Sequence, residues 1–153
     1  MGTTTEEKIA FRAMSKADIP WIREVDAVSF ADQWSVATWQ DEIKHPFGVY
    51  MVMEVGGEPC GYAGMWFIAQ EGQVTRVALA KDKRGRGLGN LLIKALVINA
   101  MNIGATTMNL EVRVSNMPAQ KAYLAAGFKP VGARPRYYQD NHEDAIIMAQ
   151  DFK

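Results

Sequence analysis

The stretch from Gln73 to Leu96 constrains this chain more than any other. Gln73–Leu79 is strand-like, and Lys81-Asp82-Lys83-Arg84-Gly85-Arg86-Gly87-Leu88-Gly89-Asn90 is a charged turn rich in glycine. Leu88, Leu91, Leu92, Ala95 and Leu96 then recur at the spacing of one helical face. A strand therefore runs through a glycine turn straight into an amphipathic helix. The first N–H groups of such a helix have no partners within it and lie at the positive end of its dipole. Glycines there let an anion approach the backbone without Cβ obstruction. Lys81, Lys83, Arg84 and Arg86 surround the turn, offset only by Asp82. The pattern suits a phosphate cradle, with a solvated glycine-rich loop as the plainer reading. It is neither a Walker loop nor GxGxxG, because Gly85, Gly87 and Gly89 are spaced two and two.

The rest of the chain supplies a sheet for this unit to join. Ile9–Arg12 reads as a first strand. Ser15, with Asp18 three residues on, is a capping signature before Ile19, Ile22, Val25 and Val28. Ser35 caps a second helix carrying Trp39 and Ile43, which ends by His45-Pro46. Val49–Val55 and Pro59–Ile68 are β-rich runs joined by the hairpin signal Gly56-Gly57, and Gln70–Gly72 reads as the next turn. Gly104 sits past the end of the long helix. Met108–Val114 returns to strand, Pro118 opens a short helix that Gly127 closes, and Phe128–Tyr138 with Asp144–Asp151 forms a final antiparallel pair. The order is β, α, α, three strands, α, β, α, β, β. That is α/β with a mainly antiparallel sheet in one domain over residues 9–153, after a polar tail of residues 1–8.

Composition excludes several function classes. Seventeen Lys+Arg balance seventeen Asp+Glu, so a globally basic nucleic-acid binder is not expected. A lone cysteine, Cys60, and two histidines, His45 and His142, leave no disulfide framework and no expected metal site. Cys60, in a strand beside Gly61, reads as a small buried hydrophobe rather than a nucleophile. No apolar run reaches the ~18 residues of a membrane span, and the acidic, polar opening is unlike a secretory signal. A cytoplasmic protein is expected.

The turn also matches R-x-x-G-x-G at Arg84, Gly87 and Gly89. Leu110-Glu111-Val112-Arg113-Val114-Ser115-Asn116 is followed by Ala122-Tyr123 and Gly127-Phe128, and the chain ends with Arg136-Tyr137-Tyr138 and then Asn141-His142-Glu143-Asp144-Ala145-Ile146-Ile147-Met148. Phe30, Trp34-Ser35 and Trp39 stand upstream. From Ile9 onward the sequence resembles the GCN5-related N-acetyltransferase (GNAT) superfamily, and most closely its bacterial ribosomal-protein-alanine N-acetyltransferase branch. The resemblance implies a single-domain GNAT fold, with about four helices on a mainly antiparallel sheet and a cofactor cleft between the fourth and fifth strands. It implies acetyl-CoA as co-substrate, no metal, and direct acetyl transfer to an amine. The acceptor implied is the N-terminal alanine of a small-subunit ribosomal protein. A small amine or polyamine, or a broader set of protein N-termini, is the rival within the fold. A non-catalytic acyl-CoA sensor is the rival outside it.

The resemblance also assigns roles. Val77, Ala78 and Leu79 would pair through their backbone with the pantetheine arm, one N–H facing the oxyanion. Arg84, Gly85, Arg86, Gly87, Leu88, Gly89 and Asn90 would hold the pyrophosphate, with Asn116 reaching the cofactor from the far wall. Glu111 would take the proton of the acceptor amine, whose pKa of about 7.7–8.0 leaves much of it protonated at neutral pH. Tyr123 would protonate the departing thiolate. Trp34, Tyr137 and Tyr138, with Glu143 or Asp144, would line the acceptor pocket. Each has a plainer reading: Glu111 as a surface carboxylate beside a cation, Tyr123 as core, the tyrosines as hairpin packing. Two departures fall near the acceptor's entrance. Gln73-Val74-Thr75-Arg76 replaces a His-Ile-Thr-Asn type of run, and Gln33 stands where a proline often precedes Trp-Ser. Charge is segregated too, with bases at Lys81–Arg86 and Asp140, Glu143 and Asp144 near the tyrosines.

Overall fold

Lys8 to Phe152 are described by the computed structural model, so the expected tail of residues 1–8 lies outside the described residues apart from Lys8. The predicted order of elements is the observed one. β1 (Ile9–Ala13) leads through a single 3-10 turn into α1 (Ile19–Ser29), and α2 (Val36–Lys44) follows. Ser35 caps α2 by accepting the Thr38 N–H at 3.1 Å. At the entry to α1, Asp18 accepts the Ser15 N–H at 2.8 Å and pairs with Arg12 at 2.8 Å. β2 (Gly48–Val55), β3 (Glu58–Ile68) and β4 (Glu71–Leu79) form a meander. Gly56 and Gly57 take positive φ of 61° and 82°, as a two-residue hairpin turn requires. The second turn falls at Ala69-Gln70, φ 51° and 66°, one residue earlier than the sequence suggested and without a glycine in it. α3 (Leu88–Asn102), β5 (Thr107–Arg113), α4 (Met117–Ala125), β6 (Lys129–Arg134) and β7 (Ala145–Asp151) complete the chain.

The seven strands lie in the order β1-β2-β3-β4-β5-β7-β6, antiparallel throughout except at β4 and β5. Alternation along the strands builds two cores. Met51, Met53, Ala63 and Met65 face α3, whose Leu88, Leu92, Leu96 and Ala100 pack on them together with Met108, Leu110 and Val112 of β5. Tyr50, Val52, Tyr62 and Ala78 face the other way, onto Ile19, Ile22 and Val25 of α1 and Trp39 of α2.

The parallel join between β4 and β5 is short, running only from Glu71↔Thr107 to Gln73↔Asn109. Two residues later β4 bulges. Met65 pairs with Val74 and Gly64 with Arg76, leaving Thr75 without a partner on β3. A bulge bends its strand. Beyond Gln73 the two strands therefore separate, and the cleft expected between the fourth and fifth strands opens there.

The last hairpin is shorter than expected, because β6 stops at Arg134 rather than reaching Tyr138. Side chains order the segment between β6 and β7 instead. Arg113 of β5 pairs with Asp140 at 3.0 Å and Glu143 at 3.2 Å, and its guanidinium lies 3.9 Å over the Tyr138 ring. Glu143 also accepts the Ser115 N–H at 2.7 Å, and Asp144 accepts the Arg136 N–H at 2.9 Å. The bonds from Ser115, with those from Arg113 and Asn141, lower the Glu143 pKa to about 2.

Two expectations follow for stability. A Cβ at Gly64 would fall 2.0 Å from Cε1 of the Tyr50 ring, so Gly64→Ala should cost about 1–3 kcal/mol, read as a lower urea midpoint at unchanged m-value. Glu143 has a folded pKa below its unfolded value of about 4.5, so its contribution is complete above that pH and disappears as pH falls to about 2. Glu143→Gln should accordingly lose less stability than wild type between about pH 5 and about pH 2.5. Equal losses in denaturant titrations at the two pH values would show that the carboxylate contributes nothing.

Candidate active site

One wall of the cleft is main chain. Val77, Ala78 and Leu79 pair with Ala63, Tyr62 and Gly61 of β3 on one side, and among the described residues no strand pairs with them on the other. Val77 and Leu79 direct their side chains toward α3, while Ala78 faces α1 and α2. What these three residues offer a ligand is backbone N–H and C=O.

At the end of β4 the chain makes a 3-10 turn over Lys81–Lys83 and enters the glycine turn. Gly85 and Gly87 have φ of 81° and 76°, a left-handed backbone that side chains disfavour. A Cβ at either would meet nothing within 4 Å, so conformation rather than crowding explains these glycines, and the space above them is open. Among the described residues no backbone group accepts the N–H of Gly85, Arg86 or Gly87. The first N–H groups of α3, on Leu88, Gly89 and Asn90, lack helical partners by position. Leu88 is fixed by burying its side chain in the core. The turn thus has the donors that an anion needs, with Arg86 exposed beside them. Arg84 is engaged differently. It donates to Ser29 Oγ at 2.8 Å, tying the turn to the end of α1.

The opposite wall carries the titratable groups. Glu111 of β5 accepts a hydrogen bond from the Tyr137 hydroxyl at 3.3 Å and lies 3.8 Å from Arg134. Its side chain is about one-quarter exposed, so the carboxylate is held by partners without being sealed in. Tyr123 of α4 packs edge-on to Phe128 at 5.7 Å, and among the described residues its hydroxyl has no hydrogen-bond partner. Burial, and secondarily Tyr138, raises the Tyr123 pKa above the ordinary phenol value. Tyr138 is itself pushed up to about 12 by burial against the opposing charge of Arg113. The Tyr137 pKa is raised by burial and then by Glu111. All three phenols therefore keep their protons at neutral pH. Asn116 caps α4, its Oδ1 accepting the Ala119 N–H at 3.2 Å, which leaves its amide nitrogen for a ligand.

Glu111 and Tyr137 are thus brought into contact, and Tyr138 is electrostatically coupled to both Glu111 and Tyr123. Trp34 does not touch these groups. It lies on the connection between α1 and α2, with its ring 4.7 Å from Trp39 and 4.2 Å from the Arg76 guanidinium. The acids expected to await a cationic amine are committed to the fold: Asp140 and Glu143 to Arg113, Asp144 to the Arg136 N–H. Sequence reasoning missed Arg134 beside Glu111. The signal was a basic residue at the end of β6, two strands from Glu111 across β7, legible only once the register is known. Cys60 is buried with a raised pKa and donates to the Met53 carbonyl, which suits an inert thiol. His45 stacks on Trp66 at 4.1 Å, away from this wall.

Known proteins with this arrangement are numerous. The profile of the acetyltransferase (GNAT) family matches residues 15–128. A Bacillus subtilis (strain 168) protein provisionally named a ribosomal protein bS18-alanine N-acetyltransferase is 39% identical over 92% of this chain and 94% of its own. The N-alpha-acetyltransferase RimI of Mycobacterium tuberculosis (strain ATCC 25618 / H37Rv) is 31% identical over 97% of this chain and 96% of its own. The crystal structure of the ribosomal-protein-S18-alanine N-acetyltransferase from Escherichia coli superposes with a TM-score of 0.85 at 27% identity, covering 94% of each chain. Sequence, fold and cleft agree: the chain is an N-acetyltransferase of the GNAT family and belongs with its RimI-like branch.

Proposed function

We propose that this protein uses acetyl-CoA to acetylate the N-terminal α-amine of a protein in the cytoplasm, the favoured acceptor being the N-terminal alanine of a bS18-type ribosomal protein. The observation that carries the reading is the parting of β4 from β5 beyond Gln73. Open main chain and a glycine turn lie along β4 and after it, a carboxylate lies on β5, and a protonated phenol lies on the helix that follows β5, which supports the reading of one cleft. The names of the relatives support the choice of acceptor.

The chemistry asks little beyond positioning and proton transfer. Bound acetyl-CoA supplies a thioester as the acyl donor. Gly85, Arg86 and Gly87, with the first turn of α3, give the pyrophosphate its N–H donors, and the edge of β4 pairs with the pantetheine amides. Glu111 receives the amine proton, directly or through one water, so that the nitrogen lone pair can form the new C–N bond. A main-chain N–H of β4 faces the carbonyl oxygen as it gains charge. The C–S bond then breaks, and Tyr123 gives its proton to the sulfur. A thiolate whose acid has a pKa of about 8.5 is a weaker base than the phenolate left behind. Tyr123 therefore acts as the sulfur takes up negative charge, and it recovers a proton readily afterwards.

A panel of peptides beginning with alanine or with other residues, run alongside spermidine and read by coenzyme A release, tests the acceptor. Alanine-first peptides should dominate. Turnover of spermidine in preference to every peptide would refute the assignment, and acetyl-CoA binding without turnover would leave a sensor. Glu111→Gln and Tyr123→Phe should each lower kcat by about 10²-fold or more while acetyl-CoA affinity stays near wild type. The Glu111→Gln deficit should grow toward lower pH, where more of the amine is protonated, and a pH profile parallel to wild type would count against the base.

A further inference from the structure

Arg76, the residue at which β4 departs from the usual run, is 8% exposed and reaches out from β4 on the α1 and α2 side, one position before Val77. Its guanidinium lies between two rings of the connection joining α1 to α2, 4.3 Å from the centre of Phe30 and 4.2 Å from that of Trp34. Nη2 donates to the main-chain carbonyl of Asp32 and stands 3.6 Å from its carboxylate. Nη1 stands 3.8 Å from Asp26 and, among the described residues, has no hydrogen-bond partner. Asp26 has no need of this arginine for its hydrogen bonds, since Trp39 donates to it at 3.1 Å and Tyr62 donates as well. The guanidinium is therefore poorly fitted to the buried acid and well fitted to the connection, which it grips by both rings and by a carbonyl.

We infer that Arg76 is a positioning residue that clamps the Phe30–Trp34 connection onto β4 and thereby fixes where Trp34 stands for the acceptor. The inference rests on the proposed function and on the acceptor role that the resemblance implies for Trp34. It adds that Trp34 and the acyl-binding main chain are aligned from one strand. A lysine could keep the charge but could not set a planar, five-donor group over two rings while donating to a carbonyl.

Amide hydrogen exchange over the connection, acetyl-CoA titration calorimetry and steady-state kinetics with an alanine-first peptide, run on wild type, Arg76→Met and Arg76→Lys, test this. In Arg76→Met, exchange between Phe30 and Trp34 should accelerate about tenfold or more and peptide KM should rise about tenfold. Acetyl-CoA affinity should stay within about twofold of wild type, and Arg76→Lys should fall between the two. Unchanged exchange would overturn the clamp, and faster exchange at unchanged peptide KM would overturn the acceptor role. Acetyl-CoA affinity falling in step with peptide affinity would also overturn it, by showing a general structural defect. If Arg76→Met does not fold, Arg76→Lys decides on the same three readouts. A wild type that turns over no peptide overturns the proposed function, and the acceptor half of this inference with it, while exchange still decides the clamp.

Discussion

The sheet is held together at its centre by a short seam. β1 to β4 form one antiparallel block and β5, β7 and β6 another, and the two meet through three parallel residue pairs at the closed end. Side chains and neighbouring backbone reinforce that end: Asn109 donates to Glu71 at 2.7 Å, and the Thr106 N–H donates to the Gln70 carbonyl at 2.8 Å. α3 does the rest by burying one apolar face across both blocks, touching methionines of β2 and β3 and the buried residues of β5. With the seam fixed at one end and bulged at Thr75, the open end can hold a ligand while the core beneath stays closed.

Much of this is legible in the sequence because it is local. The helical period from Leu88 to Leu96, the Ser35 cap, the Gly56-Gly57 hairpin and the glycine turn all depend on residues close together in the chain. The errors are long-range. The Ala69-Gln70 turn lacks a glycine to mark it, and its place is set by the pairing of β3 with β4. The strand ending at Arg134 gives way to a loop because Arg113, on another strand, gathers Asp140, Glu143 and the Tyr138 ring. Arg76 is visible as an unusual residue, but nothing in the sequence reveals that Phe30 and Trp34 close around it.

Charge tells the same story in reverse. The clustering of bases at Lys81–Arg86 and of acids at Asp140, Glu143 and Asp144 suggests a cleft with a basic end and an acidic end. Arg84 of the basic cluster is occupied with Ser29. At the other end the acids are neutralised by Arg113 and by backbone donors, and the open carboxylate at the wall is Glu111, itself beside Arg134. Under the proposed function, an amine arriving here would meet one fixed acceptor rather than a broad negative field, which favours orientation over simple attraction.

The separation of β4 from β5 has a thermodynamic side. Beyond Gln73 the molecule has two strand edges inside its own sheet, an arrangement that proteins more often cover or charge at their margins. Under the proposed function, the amide-bearing arm of the cofactor would pair along this edge as an eighth, non-covalent strand. Binding then becomes part of folding: by mass action alone, ligand at 100-fold over its Kd adds about 2.7 kcal/mol to the folded state. The gap that makes the chain receptive also makes its stability a function of what fills it.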